Sequence, residues 1–338
     1  MTTARARPNS SGAPVARRAE SKPLRDVLVA TDFSPGATAA VERAAILPLS
    51  EGARVHLVHV RQGAGAAAGD RDEPAAREAL RAEAERLTEI ARRAGGRAPA
   101  SQTYLLVGPV RREIARIARA IDADLVVLGR RGERPIGELL LGSAIDAVLQ
   151  KTCAPVLVAN RAAAGGYRRP LAALKLEAAE GEARIAELAI EIAGPGAEFV
   201  AAMHAYAIPF ETRMTIDLAS HELVGYRAAY ADEAVARLRR RLASVDAPGA
   251  GLRLSARPRP AAEAILKEAS DVDADLIAVG SRGRAGVSRL LLGSVAEAVV
   301  RGASCDVLVT RPDAPPPAAG LSRPRRARPG IGRAPRLS

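Results

Sequence analysis

Tryptophan is absent, and aromatic residues supply only 2% of the 338-residue chain. That scarcity argues against base stacking on aromatic platforms, the chemistry that single-strand nucleic-acid binders need. Cysteine occurs twice, as Cys153 and Cys305, each just before an apolar run. Two cysteines make no disulfide framework and show no metal-ligand spacing, so both read as packing residues in a reducing compartment. No segment reaches the roughly 18 uninterrupted apolar residues of a membrane span. The N-terminus is basic but has no apolar stretch behind its charges, which excludes a secretory signal. The expectation is a cytoplasmic protein with no membrane partner. Histidine is also sparse: His56, His59, His204 and His221 form no catalytic constellation. His59 and His204 lie in matching apolar runs and read as buried, hydrogen-bonded core residues.

What is plentiful is aliphatic: 48% of the residues are hydrophobic, so a core of Ala, Val, Leu and Ile can be built. β-branched strands covered by Ala/Leu helix faces fit that composition. The length suits two domains of ordinary size plus tails. The net charge of +12 sits mostly in those tails. Residues 1–23 hold Arg5, Arg7, Arg17, Arg18 and Lys22 against Glu20. Residues 312–338 hold Arg323, Arg325, Arg326, Arg328, Arg333 and Arg336 against Asp313. Both segments are rich in Pro, Gly, Ser and Ala without apolar periodicity, so 1–23 and 313–338 read as disordered basic tails. They are taken first as solubilising, with weak, salt-sensitive nucleic-acid binding as the second reading.

The chain is a duplication. Residues 122–158 (DADLVVLGRRGERPIGELLLGSAIDAVLQKTCAPVLV) align without a gap on residues 273–309 (DADLIAVGSRGRAGVSRLLLGSVAEAVVRGASCDVLV), at a constant offset of 151. Internal repetition at this length means two copies of one domain, here 24–161 and 168–312, joined through Gly165 and Gly166. In the first copy, strand runs (Asp26–Thr31, Arg54–Val60, Thr103–Val107, Leu125–Leu128, Pro155–Ala159) alternate with helical spacing (Gly36–Leu49, Glu73–Arg93, Val110–Ile121, and from about Ser143). The second copy repeats that order, with a longer excursion over Ala205–Val224. Such alternation implies right-handed crossovers and a parallel α/β sheet, with ligands beyond the carboxyl ends of the strands.

Strand four is followed by Gly129, Gly132 and Gly142-Ser143, and the second copy has Gly280, Gly283 and Gly293-Ser294 at the same spacing. Gly129 is expected to turn the chain sharply off the strand, and Gly132 to let a ligand approach backbone. Gly142-Ser143 is expected to open the next helix, whose free N–H groups and dipole favour an anion. Arg131 and Arg282 occupy matching loop positions and could neutralise phosphate. Turn formation alone would explain such glycines equally well in a single copy. Neither segment is a P-loop or a GxGxxG loop. At the end of the first strand, Asp32 in Ala30-Thr31-Asp32-Phe33-Ser34 could accept from a ribose or base. Capping of the following helix by Asp32 or Ser34 is the competing reading.

Taken together, the ATDFS strand-turn, the VHLVHV strand, the glycine pattern and the closing APVLVANR resemble the universal stress protein (UspA-like) family, over both halves but not the tails. The resemblance implies two tandem Rossmann-like domains, each a five-stranded parallel sheet with helices on both faces. It implies the ATP-binding branch, with ATP or a related adenine nucleotide as ligand and Mg2+ as a companion ion. Asp32, with the backbone of Ala30 and Thr31, would hold adenosine, and Val60 would contact adenine. Gly129, Arg131, Gly132, Gly142, Ser143 and Ala144 would hold phosphates and ribose. One departure is Gly108-Pro109, which lacks the usual intervening residue. The second half departs further: Glu177 falls at the Asp32 position and Ala179 at the Ser34 position, and Pro258-Arg259-Pro260 replaces a family glycine. A second, weaker site at Gly280, Arg282, Gly283, Gly293 and Ser294 is therefore expected.

Three functions fit these residues. One is a nucleotide-binding stress-response or signalling module; another is a slow ATPase or autophosphorylating enzyme; the third is a dimerisation scaffold with a nucleic-acid-binding tail. The first is preferred, because phosphoryl transfer needs a positioned metal and a group that orients the nucleophile. The fifth strands, Pro155–Ala159 and Asp306–Thr310, are expected at sheet edges that need cover. They would pair the two halves within one chain or make a homodimer.

Overall fold

The computed structural model describes residues 24–61, 73–130, 137–152, 154–160, 162–176, 181–207, 220–247, 251–258, 260–281 and 292–311, with the side chains of 137–143 and 220–223 left aside. Both basic tails, Cys153 and most of the 205–224 excursion lie outside the described residues. Ten strands form one sheet: β1 (Leu24–Ala30), β2 (Leu49–Arg61), β3 (Ala100–Val107), β4 (Leu125–Gly129), β5 (Val156–Ala159), β6 (Pro170–Leu174), β7 (Phe199–Tyr206), β8 (Gly251–Pro258), β9 (Leu276–Gly280) and β10 (Asp306–Thr310). The helices are α1 (Pro35–Ala45), α2 (Glu73–Arg93), α3 (Val110–Ala120), α4 (Gly137–Lys151), α5 (Ala183–Ala193), α6 (Ser220–Arg241), α7 (Ala261–Asp271) and α8 (Ser294–Gly302). The strand order is β3-β2-β1-β4-β5-β10-β9-β6-β7-β8. Every pairing is parallel except β5 with β10.

That exception relates the halves. Val156 pairs Val309, Leu157 pairs Leu308, and Val158 pairs Val307. Leu157 and Leu308 are equivalent residues in the repeat, so the middle rung joins a residue to its own copy. The outer rungs exchange roles, as they would across a two-fold axis. The inner strands are near-continuous aliphatic runs because both faces are covered. One face packs Val27, Val29, Leu157 and Leu308 under α1, α2, α5 and α6. The other packs Leu28, Val126, Val156 and Val307 under α3, α4, α7 and α8. Each apolar layer therefore runs through both halves.

Local chemistry repeats as well. Asp124 accepts from the N–H groups of Arg25 and Asp26 at 2.9 and 3.0 Å, and Asp275 accepts from Arg168 and Arg169 at 2.6 and 3.1 Å. Among the described residues, the non-glycine positive φ values fall in two equivalent pairs: Phe33 and Leu176 at 64° and 59°, Asp122 and Asp273 at 53° and 48°.

The junction between halves is polar and asymmetric. Asp306 is buried and accepts from Arg43 Nε at 2.7 Å, the Tyr167 hydroxyl at 2.6 Å and the Asn160 N–H at 2.8 Å. Arg43 lies 4.2 Å above the Tyr167 ring and donates to the Gly165 carbonyl at 2.7 Å. Burial, then the charge of Asp306, pushes the Tyr167 phenol well above its ordinary range, so it remains a neutral donor. The first copy has Pro155 where the second has Asp306, so this knot has no twin. Around it the contacts reciprocate: Asn160 donates to Ala303 O at 2.9 Å beyond α8, and its equivalent, Arg311, donates to Leu149 O at 2.8 Å near the end of α4.

At the start of β1, burial alone would raise the Asp26 carboxyl, but hydrogen bonds from His56 (2.8 Å) and Arg54 (2.9 Å) outweigh it and hold it below its usual value. A lowered folded pKa stabilises the fold above the unfolded value, and the benefit is lost as pH falls through the folded one. The stability gap between wild type and Asp26→Asn, followed by urea unfolding, should therefore close as pH drops below about 4. Truncation by Asp306→Ala should cost about 3–5 kcal/mol in the same measurement, because it strands the buried Arg43 guanidinium.

Candidate functional site

The three strands that frame the first-half crevice end at different heights. β1 stops at Ala30, paired with Val58 and Leu128, while β2 continues to Arg61 alongside β3. The last rung between β1 and β2 runs from Thr31 N–H to Val58 O at 2.9 Å. Val60 lies two residues further along β2, where β1 no longer covers it.

The chain then makes a turn encoded by its side chains. Thr31 Oγ1 accepts from the Phe33 N–H at 3.0 Å, and Asp32 Oδ1 accepts from the Ser34 N–H at 3.1 Å. Both are side-chain substitutes for backbone turn bonds. They hold Phe33 at positive φ, a costly state for a bulky residue. Its ring stacks on His59 with centroids 4.4 Å apart. His59 Nδ1 lies 2.8 Å from Thr31 O, an acceptor, so Nδ1 carries the proton. His59 is half-buried rather than fully buried, because its ring serves this turn. Ser34 then caps α1, accepting from Ala37 N at 3.3 Å, with Pro35 in the first turn. The capping role falls to Ser34, while Asp32 is exposed at the strand end with one oxygen committed to the turn.

Gly129 has a different role from the expected one. It stays in β4, paired with Ala159, without positive φ. A Cβ there would sit 2.2 Å from Gly36 O and 2.7 Å from Ala37 N. The missing side chain lets the first turn of α1 rest directly on the end of β4. The expected helix opening at Gly142-Ser143 is also corrected. α4 begins at Gly137, so both residues lie inside it, and Glu138 through Leu141 are strong helix formers that extend it backwards. Ala144 is buried in the core beneath. Arg131 and Gly132 lie outside the described residues, as do Arg282 and Gly283.

Arg130 was not singled out in the sequence. Its guanidinium donates to Asn160 Oδ1 at 3.0 Å, to Ala303 O at 2.6 Å and to Arg301 O. The first residue after Gly129 thus reaches the carboxyl end of α8 in the other half. The available signal was the contrast between copies, since the equivalent residue is Ser281.

In the second half, α8 opens at Ser294 with Gly293 at its cap. Gly293 N–H donates to Ser281 O at 2.8 Å, so the returning chain meets the end of β9 just past Gly280. The adenosine side differs from expectation. His204 Nδ1 lies 2.8 Å from Leu174 O, matching His59 and Thr31. With the Asp124/Asp275 and Phe33/Leu176 equivalences, this places Lys175, not Glu177, at the Asp32 position. The strand ends at Leu174, two residues before the end of the apolar run at Leu176, and the register shifts by two. Glu177, Ala178 and Ala179 lie outside the described residues, with Glu177 at the Ser34 position by count.

Replacing Gly129 by Ala should cost about 2–3 kcal/mol of stability in urea unfolding, because the obstructing atoms are backbone. The same substitution at Gly165, with open space around it, should leave the midpoint nearly unchanged.

Comparison with known proteins agrees with this architecture. The sequence model of the Universal stress protein family matches residues 23–160 and 169–311. Universal stress protein Rv2005c of Mycobacterium tuberculosis is 33% identical over 201 residues, covering 56% of this chain and 62% of that protein. The match thus spans less than two thirds of that relative. The crystal structure of a universal stress protein from Archaeoglobus fulgidus superimposes with a TM-score of 0.59, at 18% identity, over 85% of this chain and 96% of the other. A universal stress protein solved in complex with cAMP matches 40% of this chain and 97% of its own at 23% identity, with a TM-score of 0.32. With both halves matched, the chain belongs to the universal stress protein family.

Proposed function

We propose that the first half binds an adenine nucleotide, ATP or a close relative, in the crevice above β1, β2 and β4, and that the protein acts as a ligand-responsive stress module rather than a catalyst. The observation that carries this reading is the Thr31–Ser34 turn. It fixes an exposed carboxylate, Asp32, at the step where β1 ends and β2 runs on. A ribose offers hydroxyl donors to a carboxylate, and the uncovered backbone around Val60 suits the edge of a purine. The first turn of α1, seated against Gly129, brings amide N–H groups and a positive helix end to the same strand ends. The phosphates would extend past the end of β4. Among the described residues no cluster of three His, Cys, Asp or Glu forms a protein-only metal site. Mg2+ would therefore enter as the nucleotide's own counter-ion.

Occupancy of this crevice has a route to the second half through Arg130, whose guanidinium holds the end of α8. That coupling suits a module that reports ligand state through the relation of its halves. The second half carries Lys175 at the position of Asp32. A cation cannot accept from a ribose, so one nucleotide site per chain is the expected stoichiometry.

Calorimetric titration of the full chain with ATP should give one site. Asp32→Ala should weaken it about tenfold, the worth of a hydrogen bond to a charged group, while lowering stability by no more than the one turn hydrogen bond it removes, about 0.5–1.5 kcal/mol. Two equal sites, or an unchanged affinity in Asp32→Ala, would refute the assignment.

A further inference from the structure

The helices α2 and α6 are copies of each other, and their C-terminal halves have diverged in charge. Over residues 83–93 three carboxylates balance three arginines, whereas residues 234–244 hold Arg237, Arg239, Arg240 and Arg241 with no carboxylate. In the first half Arg86 is paired with Glu83 at 3.8 Å and Glu42 at 3.6 Å, and Glu89 with Arg93 at 2.8 Å. At the equivalent positions of the second half Glu83 is replaced by Ala234 and Glu89 by Arg240. The buried anchor is retained, Leu87 and Leu238 both being fully buried. The two helices share their packing, so the packing does not call for the extra charge. Cations near a helix C-terminus complement its dipole, but α2 meets that need with Arg92 and Arg93 in its last turn while its other charges balance, so the dipole does not account for the whole arginine run of α6.

These arginines also border a cavity. Leu176, Arg237, Arg240 and Arg241 line a space of about 420 Å³ between α6 and Leu176, the second residue after β6. That volume lies within the roughly 300–1,000 Å³ of small-molecule pockets. It is on the sheet face covered by α5 and α6, where Leu176 packs with Leu238. Arg237 is fixed by donating to Leu176 O at 2.9 Å. Glu182, the nearby carboxylate after β6, is buried and already accepts from the Leu176 N–H at 2.8 Å. Among the described residues no ion pair joins Arg237 or Arg240 to a carboxylate. Each guanidinium offers a planar fork of donors suited to phosphate oxygens, and such forks are less heavily hydrated than ammonium groups. Their combined charge also outweighs the partial negative charge of the helix end, roughly half an elementary charge.

We propose that this cavity is a second ligand site, distinct from the nucleotide crevice of the first half, and that it takes a small anion carrying two or more phosphate groups. Its limited volume favours a small molecule over a nucleic-acid backbone, which would need an extended track of cations.

The test uses the full chain and inorganic tripolyphosphate, titrated calorimetrically at fixed salt. Arg240 is exposed, so Arg240→Glu should fold normally, with an unchanged unfolding midpoint. It should weaken one class of tripolyphosphate sites at least about tenfold, the worth of a charge-assisted hydrogen bond, and Arg237→Gln should do the same. Asp32→Ala should leave that class intact, and Arg240→Glu should leave ATP binding intact, which separates this site from the first-half crevice. Equal tripolyphosphate binding in wild type and both arginine variants would overturn the proposal. So would binding lost only in Asp32→Ala, or binding confined to oligonucleotides.

Discussion

The Asp306 carboxylate gathers three donors from separate parts of the chain at the seam between the halves. Its three donors come from α1, from the backbone just after β5 and from the linker. All belong to the first half or the connection, while Asp306 opens the last strand of the second half. A buried carboxylate is tolerable only when its acceptor capacity is used, and here it is used by a guanidinium, a phenol and an amide. Three β5–β10 rungs alone could slip by one residue without losing many hydrogen bonds. Such a slip would exchange the faces of every aliphatic side chain on the strand. The polar knot adds a register constraint at the centre of the ten-stranded sheet, and both shared apolar layers rest on that register.

Much of this was legible in the sequence. Alternating aliphatic runs and helical spacing identified the five-strand pattern of the first half, and α2 matches its expected bounds, Glu73–Arg93. The gapless repeat located equivalent residues from just before β4 through β5. Legibility failed where the apolar run outlasts the strand. Taking the apolar run Leu171–Leu176 as the strand puts Glu177 just past its end, but β6 stops at Leu174 and the hydrogen-bond register puts Lys175 there. It failed again at Gly129. A glycine after a strand suggests a turn, but the reason for this one lies in α1, almost a hundred residues earlier. No local pattern encodes that contact.

The site itself was half legible. Asp32, Thr31 and Ser34 were visible as a group, and the structure divides their work. Thr31 and Asp32 each stand in for a turn hydrogen bond, Ser34 caps the helix, and the strain at Phe33 is met by stacking on His59. Arg130 was invisible because two of its three partners are backbone carbonyls at the end of another helix, and carbonyls carry no sequence signature. The second half keeps the left-handed residue after β6 and the histidine beside it, so the turn outlived the acidic residue that defined it.

The pairing of Leu157 with its own copy, Leu308, bears on how two such different halves stay together. Two separate chains joined by so short a strand contact would associate according to their concentration and would exchange subunits. Covalent tethering turns that association into an intramolecular step with an effective concentration on the order of millimolar. Every molecule then carries one acidic strand end and one basic strand end, in a fixed ratio at any expression level. No population of like-with-like pairs dilutes the mixed form, so either copy is free to drift in sequence without losing its partner.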